Sequence, residues 1–251
     1  MDIAAYLQRI NYHGSLDPSA ETLRDLQVAH LLAVPFENLS IHYQQPIVLD
    51  DEALFDKIVT RRRGGFCYEL NGLFCALLRG LGFKVEMLSA RVANSAGEFG
   101  PEFDHMTLMV QLDQRWLADV GFGDSFREPL LIDERNVQVQ QERSYRIDLD
   151  DDRYLLWQRQ QGEEWKPQYS FSLQPFSYPD YTGMCQYHQT SSDSHFTKAR
   201  ICSRATLDGR LTLSDLRLIT TGMNDRQEQL LESEEEYLQV LRERFDVTIR
   251  S

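Results

Sequence analysis

The spacing of apolar side chains changes close to residue 84 of this 251-residue chain. Before that point apolar residues recur every three to four positions, as they do along one face of a helix. From Lys84 to Val92 they alternate with polar residues, which is typical of a strand with one buried face. The chain therefore predicts helices first and strands afterwards. That order favours an α+β fold over a parallel α/β sheet.

The other predicted elements follow the same two patterns. Helices are predicted at residues 20–32, where Ser19 or Asp17 would cap the first turn, and at residues 51–60. An amphipathic helix is predicted at residues 227–245. The predicted strands cover residues 105–112, 115–123, 144–149, 153–159, 168–173, 201–207 and 210–214. The first two strands form a β-hairpin, and Asp208-Gly209 marks a tight turn between the last two.

Composition excludes several classes of protein. The net charge of −13 argues against a general nucleic-acid-binding protein, whose surface would carry a basic face. No apolar run approaches the roughly 20 residues that span a bilayer, and the N-terminus does not read as a secretory signal. Four cysteines without paired spacing indicate reduced thiols in a cytoplasmic protein, and no ligand pattern predicts a metal site.

Cys67 is the first candidate for chemistry. Gly64 and Gly65 precede it, and an apolar run at helical spacing follows it as far as the glycines at 80 and 82. The thiol would then lie beside unpaired backbone N–H groups at the positive end of the helix dipole, and both favour thiolate. The alternative is a small buried apolar side chain, which is the usual role of a free cysteine. A candidate base elsewhere in the chain would favour the reactive thiolate over the buried apolar side chain.

His105 and Asp119 could supply that base and the group that orients it. His105 opens one predicted strand, and Asp119 lies near the end of the next. With a three-residue hairpin loop, Asp119 would face Met109, four positions from His105. Roughly 13 Å along the strands would then separate the cross-strand position of His105 from that of Asp119. A bulge or bend after Asp119 would have to close the gap.

Five features of the sequence, taken in order, resemble one family of enzymes. They are PFENL at residues 35–39, RRGGFCYELNG at 62–72, an apolar strand opened by His105, DVGFG at 119–123 and SHFT at 194–197. The second closely resembles the cysteine motif of the arylamine N-acetyltransferases, and the others resemble further segments of that family. Together they span almost the whole chain.

The resemblance implies a fold and a reaction. The implied domains are an N-terminal helical bundle at residues 1–83, a central antiparallel β-barrel at 84–185 and a C-terminal α/β lid at 186–251, around a cysteine-protease-like core. Cys67 would be the acetyl-accepting nucleophile, His105 the general base and Asp119 its orienting group. The implied reaction is ping-pong transfer of acetyl from the co-substrate acetyl-CoA to an arylamine, a hydrazine or an N-hydroxyarylamine.

The resemblance also implies where the substrates bind. An apolar acceptor pocket would include Phe36 and Phe122, although each could equally belong to the core. CoA contacts are implied at Pro101, Tyr187, Ser191 and Ser194. One departure from the family pattern is Asp104, where a neutral or basic residue is expected. Its carboxylate could raise the pKa of the neighbouring histidine or disfavour the phosphates of CoA.

Two other readings of the sequence stay open. Cysteine, histidine and aspartate occur in the same chain order in cysteine hydrolases and transglutaminase-like amidases. A catalytically silent binding protein could also keep the fold. The sequence indicates neither the physiological acceptor nor the oligomeric state.

Overall fold

The computed structural model describes residues 1–222 and 225–249. Within them the helices are α1 (Ile3–Arg9), α2 (Ala20–Ala33), α3 (Leu39–His42), α4 (Asp51–Phe55), α5 (Cys67–Gly80), α6 (Tyr178–Thr190) and α7 (Glu234–Phe245). The strands are β1 (Phe36–Glu37), β2 (Lys84–Val92), β3 (His105–Gln111), β4 (Arg115–Ala118), β5 (Leu130–Leu131), β6 (Gln138–Gln140), β7 (Arg143–Asp150), β8 (Arg153–Gln160), β9 (Lys166–Phe176), β10 (Ile201–Thr206), β11 (Gly209–Ser214), β12 (Arg217–Thr221) and β13 (Arg226–Leu230). The described residues contain no helix of the length and apolar character that crossing a membrane requires.

The N-terminal third is helical, as predicted. Ser19 caps α2 by accepting a hydrogen bond from the N–H of Thr22 at 3.1 Å. The predicted helix at residues 51–60 is α4 followed by a π-helix, Asp56–Thr60. Helix α5 is buried on nearly every side, so it forms the centre of the helical part and not an amphipathic surface helix.

The central sheet has eight antiparallel strands in the order β5-β4-β3-β2-β9-β8-β7-β6. Its two edges meet through a side chain. Gln138 on β6 accepts a hydrogen bond from the N–H of Leu131 on β5 at 2.8 Å and donates one to its carbonyl at 3.0 Å. The sheet is therefore a nearly closed barrel around its own apolar core. The predicted α+β class with an antiparallel barrel is confirmed.

A second sheet has the order β1-β10-β11-β12-β13, and α7 packs against one of its faces. Strand β1 comes from the helical third of the chain. Phe36 in β1 pairs with Ser203 in β10 and also forms a bridge with Gly65, just before α5. This sheet is therefore joined directly to the segment that carries Cys67.

The predicted helix at residues 227–245 is wrong in its first part. Arg226–Leu230 is strand β13, because its backbone completes the ladder along β12. The helix begins at Glu234, where the Ser233 hydroxyl accepts a hydrogen bond from the N–H of Glu236 at 3.2 Å. The local cap and the open edge of β12 therefore divide one predicted helix into a strand and a helix.

Helix α6 was not predicted. The Asp180 carboxylate accepts a hydrogen bond from the N–H of Ser177 at 2.8 Å and so fixes the first turn. The helix has little apolar periodicity, which explains why the spacing of its residues gave no signal. It crosses the predicted limit at residue 185, and the division into three domains stays a prediction.

Candidate active site

Cys67 is the first residue of α5, and its side chain is almost completely buried. Burial raises the pKa of the thiol well above its ordinary value, while a hydrogen bond from the N–H of Met106 lowers it. The charges of Asp119 and Asp104 add to the increase. Burial therefore outweighs any stabilisation of the thiolate by the helix start, whose own contribution stays a prediction. A cationic partner has to stabilise any thiolate here.

His105 provides the candidate for that partner, because it is bonded to Asp119. Its Nε2 lies 2.7 Å from Oδ2 of Asp119, and both side chains are almost completely buried. Since Nε2 faces the carboxylate, Nδ1 is the nitrogen left to exchange a proton with a thiol or a substrate. The ring packs edge-on against Phe122, with 5.0 Å between centroids, and lies beside Tyr169 at 5.2 Å.

The predicted gap between His105 and Asp119 came from a wrong register. Met109 pairs with Leu117, so an extended ladder would place Asp119 two positions from His105 and not four. Strand β4 ends at Ala118, and Asp119 leaves the ladder. The remaining distance, roughly 7 Å of strand, is closed by that departure and by the length of the two side chains.

Asp119 is held as a carboxylate by four donors. Oδ1 accepts hydrogen bonds from Nδ2 of Asn71 at 2.8 Å and from the N–H of Gly121 at 2.9 Å. Oδ2 accepts from the Tyr169 hydroxyl at 3.0 Å in addition to its contact with His105. Burial alone would raise the pKa of Asp119, but His105 and these donors outweigh it and hold the pKa below its ordinary value.

Asn71 connects the three elements of the site. It lies one turn after Cys67 on α5, and its Nδ2 also donates to the carbonyl of Met106 at 2.6 Å. Its Oδ1 accepts from the N–H of Val120 at 2.9 Å. One amide side chain therefore fixes the cysteine helix, the start of β3 and the segment after β4 relative to one another.

Gly121 explains why the DVGFG segment needs a glycine at its third position. A Cβ added there would lie 2.8 Å from Cα of Cys67 and 2.8 Å from Nδ2 of Asn71. The absence of a side chain lets the backbone after Asp119 rest directly on the first turn of α5.

A buried ionic network that no pattern in the sequence predicts lies beside the start of α5. Nε of Arg63 donates to Glu37 at 2.9 Å, and Nζ of Lys57 donates to Glu69 at 2.6 Å. Glu69 in turn accepts the N–H of Phe66 at 3.1 Å, immediately before Cys67. The RRGG and PFENL segments therefore meet in space and fix the loop that leads into the cysteine helix.

A cavity of about 600 Å³ opens onto the thiol. Of the predicted site residues, Cys67, His105, Phe36 and Phe122 line it, and Asp119 lies behind His105. The inward face of the second sheet forms much of the remaining wall. Other lining residues, which were not predicted as site residues, include Asn38, Ser203, Arg210, Thr212, Ser214 and Arg226.

The residues predicted to contact CoA do not line this cavity. Pro101 is exposed, and Tyr187 is 40% exposed. Ser191 follows the end of α6, whereas Ser194 is buried with its hydroxyl 3.1 Å from Nδ1 of His188. Their part in binding stays a prediction.

Asp104 does line the cavity, next to His105. Its Oδ1 lies 3.2 Å from Nε2 of His188 on α6. The carboxylate that departs from the family pattern thus has a basic partner of its own on a neighbouring helix.

Comparison with known proteins gives consistent matches along the chain. A family model described as N-acetyltransferase matches residues 19–251. The arylamine N-acetyltransferase of Mycolicibacterium smegmatis is 34% identical over 99% of this chain and 93% of its own length. The arylamine N-acetyltransferase / N-hydroxyarylamine O-acetyltransferase of Salmonella typhimurium is 36% identical over 84% of this chain and 76% of its own length. The solved structure of Mycobacterium marinum arylamine N-acetyltransferase in complex with CoA has a TM-score of 0.90 and 34% identity, and the match covers 98% of this chain and 93% of that one.

Proposed function

This chain belongs to the arylamine N-acetyltransferase family, and on that premise we propose that Cys67, His105 and Asp119 transfer an acetyl group in two steps. The observation that carries the proposal is the 2.7 Å contact between His105 and Asp119 beside a cavity that Cys67 and His105 both line. The enzyme is an acyltransferase, and acetyl-CoA is its proposed acetyl donor.

In the first step Nδ1 of His105 accepts the thiol proton of Cys67. The Cys67 thiolate attacks the thioester carbonyl, and the resulting tetrahedral intermediate collapses with loss of the CoA thiolate, which takes the proton from His105. Backbone N–H groups at the start of α5 are the proposed donors to the oxyanion. The product is an acetyl thioester on Cys67. Asp119 stabilises the imidazolium and keeps the ring in the orientation that the transfer needs.

In the second step the acceptor attacks the acetyl-cysteine. The nucleophile is the nitrogen of an arylamine or hydrazine, or the oxygen of an N-hydroxyarylamine. His105 accepts the proton that the nucleophile loses and returns it to the Cys67 sulfur as that bond breaks. Phe36 and Phe122 are proposed to bind the acceptor ring, because both line the cavity and Phe122 packs against His105.

The test measures the intermediate directly. Purified protein is mixed with acetyl-CoA and its intact mass is recorded before and after an arylamine is added. We expect one added acetyl group, its loss upon addition of the amine, and no acetylation of Cys67→Ala. Continued release of CoA without an amine, beyond the single equivalent that acetylation of Cys67 produces, would indicate a hydrolase and contradict the proposal.

A further inference from the structure

One face of the second sheet is rich in hydroxyl groups and lines the cavity. Side chains alternate across a strand, so Ser203 on β10 and Thr212 on β11 share this face. Their hydroxyls lie 2.8 Å apart. Ser214 and Thr221 belong to the same lining. Ile201 and Ile219 line the cavity from the same face, so the face combines apolar side chains with hydroxyl groups that can bond to a ligand.

Two arginines occupy one cross-strand row of this face. Arg210 on β11 pairs with Thr221 on β12, and Thr221 pairs with Arg226 on β13. All three line the cavity. With adjacent strands about 4.8 Å apart, the row places the backbones of two arginines roughly 10 Å apart with a threonine between them.

Arg210 retains hydrogen-bonding capacity. Its Nη1 donates to Ser203 at 3.1 Å, and its Nε lies 3.2 Å from Asp124. Nη2 donates to no residue that the structure describes. The Asp124 carboxylate also accepts hydrogen bonds from both terminal nitrogens of Arg143, at 2.8 and 2.9 Å. One carboxylate therefore pairs with two guanidinium groups. This end of the cavity is consequently positive.

Arg226 carries the second positive charge. Its side chain is 62% exposed, and its nearest acidic partner is Glu228 on the same strand, at 3.5 Å. An ion pair that long and that exposed leaves the guanidinium largely available to another anion.

The lining also carries a negative charge close to His105. Asp104 directly precedes His105 and lines the cavity, and its Oδ1 lies 3.2 Å from Nε2 of His188. Because the whole protein has a net charge of −13, an anionic ligand must place its charges where the local field is positive. Within the lining of this cavity, that place is the Arg210–Arg226 row.

The row lies at a distance from the thiol. The backbone pairings run from Gly65 to Phe36, from Phe36 to Ser203 and from Ser203 to Thr212, which makes three strand steps or roughly 14 Å. Arg210 lies two residues further along β11. A ligand that reaches from the row to Cys67 must therefore be long, with its anionic groups at one end and its reactive group at the other.

We propose that Arg210 and Arg226, with Thr221 between them, bind the phosphate groups of acetyl-CoA while its thioester lies at Cys67. The inference rests on the proposed function and extends it to the donor's binding mode. Phosphate recognition is thereby assigned to the sheet, and the part of the cavity beside Asp104 is left to the uncharged or cationic acceptor.

The experiment compares two acetyl donors. Acetyl-CoA carries the phosphates, whereas S-acetyl-N-acetylcysteamine carries the same thioester without them. Arg210→Gln and Arg226→Gln are measured with both donors, and Arg217→Gln is the control. Arg217 lies in the same sheet, pairs with Glu228 and is absent from the cavity lining, so this variant makes an equal change in net charge.

We expect each cavity variant to raise KM for acetyl-CoA about tenfold or more, because loss of one charge-assisted hydrogen bond weakens binding by about that factor. KM for the phosphate-free donor should change less than about twofold, and Arg217→Gln should resemble the wild type with both donors. Unchanged KM for acetyl-CoA in both cavity variants would overturn the inference, and so would an equal loss with both donors. If the wild type accepted acetyl from neither donor, the proposed function itself would fail, and this inference with it.

Discussion

Gly121 gives the sharpest test of how the site is assembled. In Gly121→Ala the new Cβ would lie 2.8 Å from Cα of Cys67 and 3.0 Å from its carbonyl oxygen, whereas ordinary contacts begin at 3.4 Å. Both neighbours are backbone atoms of a buried helix start and cannot rotate away. The segment after Asp119 must therefore move by roughly 0.6 Å or more, away from α5.

That displacement has two measurable costs. Overpacking of this kind lowers the free energy of unfolding by about 1–3 kcal/mol, or about 2–12 °C in Tm for a chain of this size. It also moves Asp119, and with it the ring of His105, relative to the thiol. Since a misplacement of about 1 Å can cost about 10²-fold in rate, we expect single-turnover acetylation of Cys67 to slow about 10-fold to 10²-fold.

The assay is rapid mixing with acetyl-CoA followed by intact-mass measurement, together with a thermal melt. Gly183→Ala is the matched control, because the same methyl group meets nothing within 4 Å at an exposed position of α6. It should raise stability by about 0.5–1 kcal/mol and leave the rate unchanged. A Gly121→Ala enzyme with the wild-type rate and Tm would refute the packing argument.

Three further variants test the charges of the site. Asp119→Asn should slow acetyl transfer by about 10²–10⁴-fold. Because the pKa of Asp119 is lowered in the folded protein, the wild type should have a higher Tm than this variant above about pH 4, and the difference in Tm should shrink in acid. Arg63→Met should lower the free energy of unfolding in urea by about 3–5 kcal/mol, because the buried charge of Glu37 would lose its closest partner, the guanidinium 2.8 Å away; a loss below about 1 kcal/mol would contradict this. Asp104→Asn should shift the pH profile of Cys67 alkylation by iodoacetamide to lower pH. Burial is the largest cause of the raised pKa of the Cys67 thiol, and the negative charge of Asp104 raises that pKa further. An unshifted profile would show that the carboxylate does not act on Cys67.

The sequence predicted the features that local signals determine. The glycines before Cys67 and the apolar spacing after it place the helix start correctly, since both act within a few residues. The hairpin at Asp208-Gly209 was found for the same reason. Such elements carry their own caps and turns, so their neighbours in space need not be known.

Features that depend on distant contacts were missed. The segment 226–230 has no strand pattern of its own and is exposed throughout, so the free edge of β12 decides its conformation. The proximity of His105 and Asp119 depends on the hairpin register and on Asn71, a residue on another element. Likewise, Glu37 and Arg63 are 26 positions apart, and no pattern in the sequence indicates that they pair.

Strand β1 has a consequence for the order in which the enzyme can become active during synthesis. Phe36 in this strand is paired with Ser203, about 170 positions later in the chain. A nascent chain that ends before β10 would contain Cys67, His105 and Asp119, but β1 would lack its antiparallel partner and the cavity would lack the wall that the second sheet supplies. Contacts of such long sequence separation form slowly, and the N-terminal part of a chain generally folds first. The nucleophile should therefore be present, and open to ordinary oxidants and alkylating agents, before the chain can select an acetyl donor.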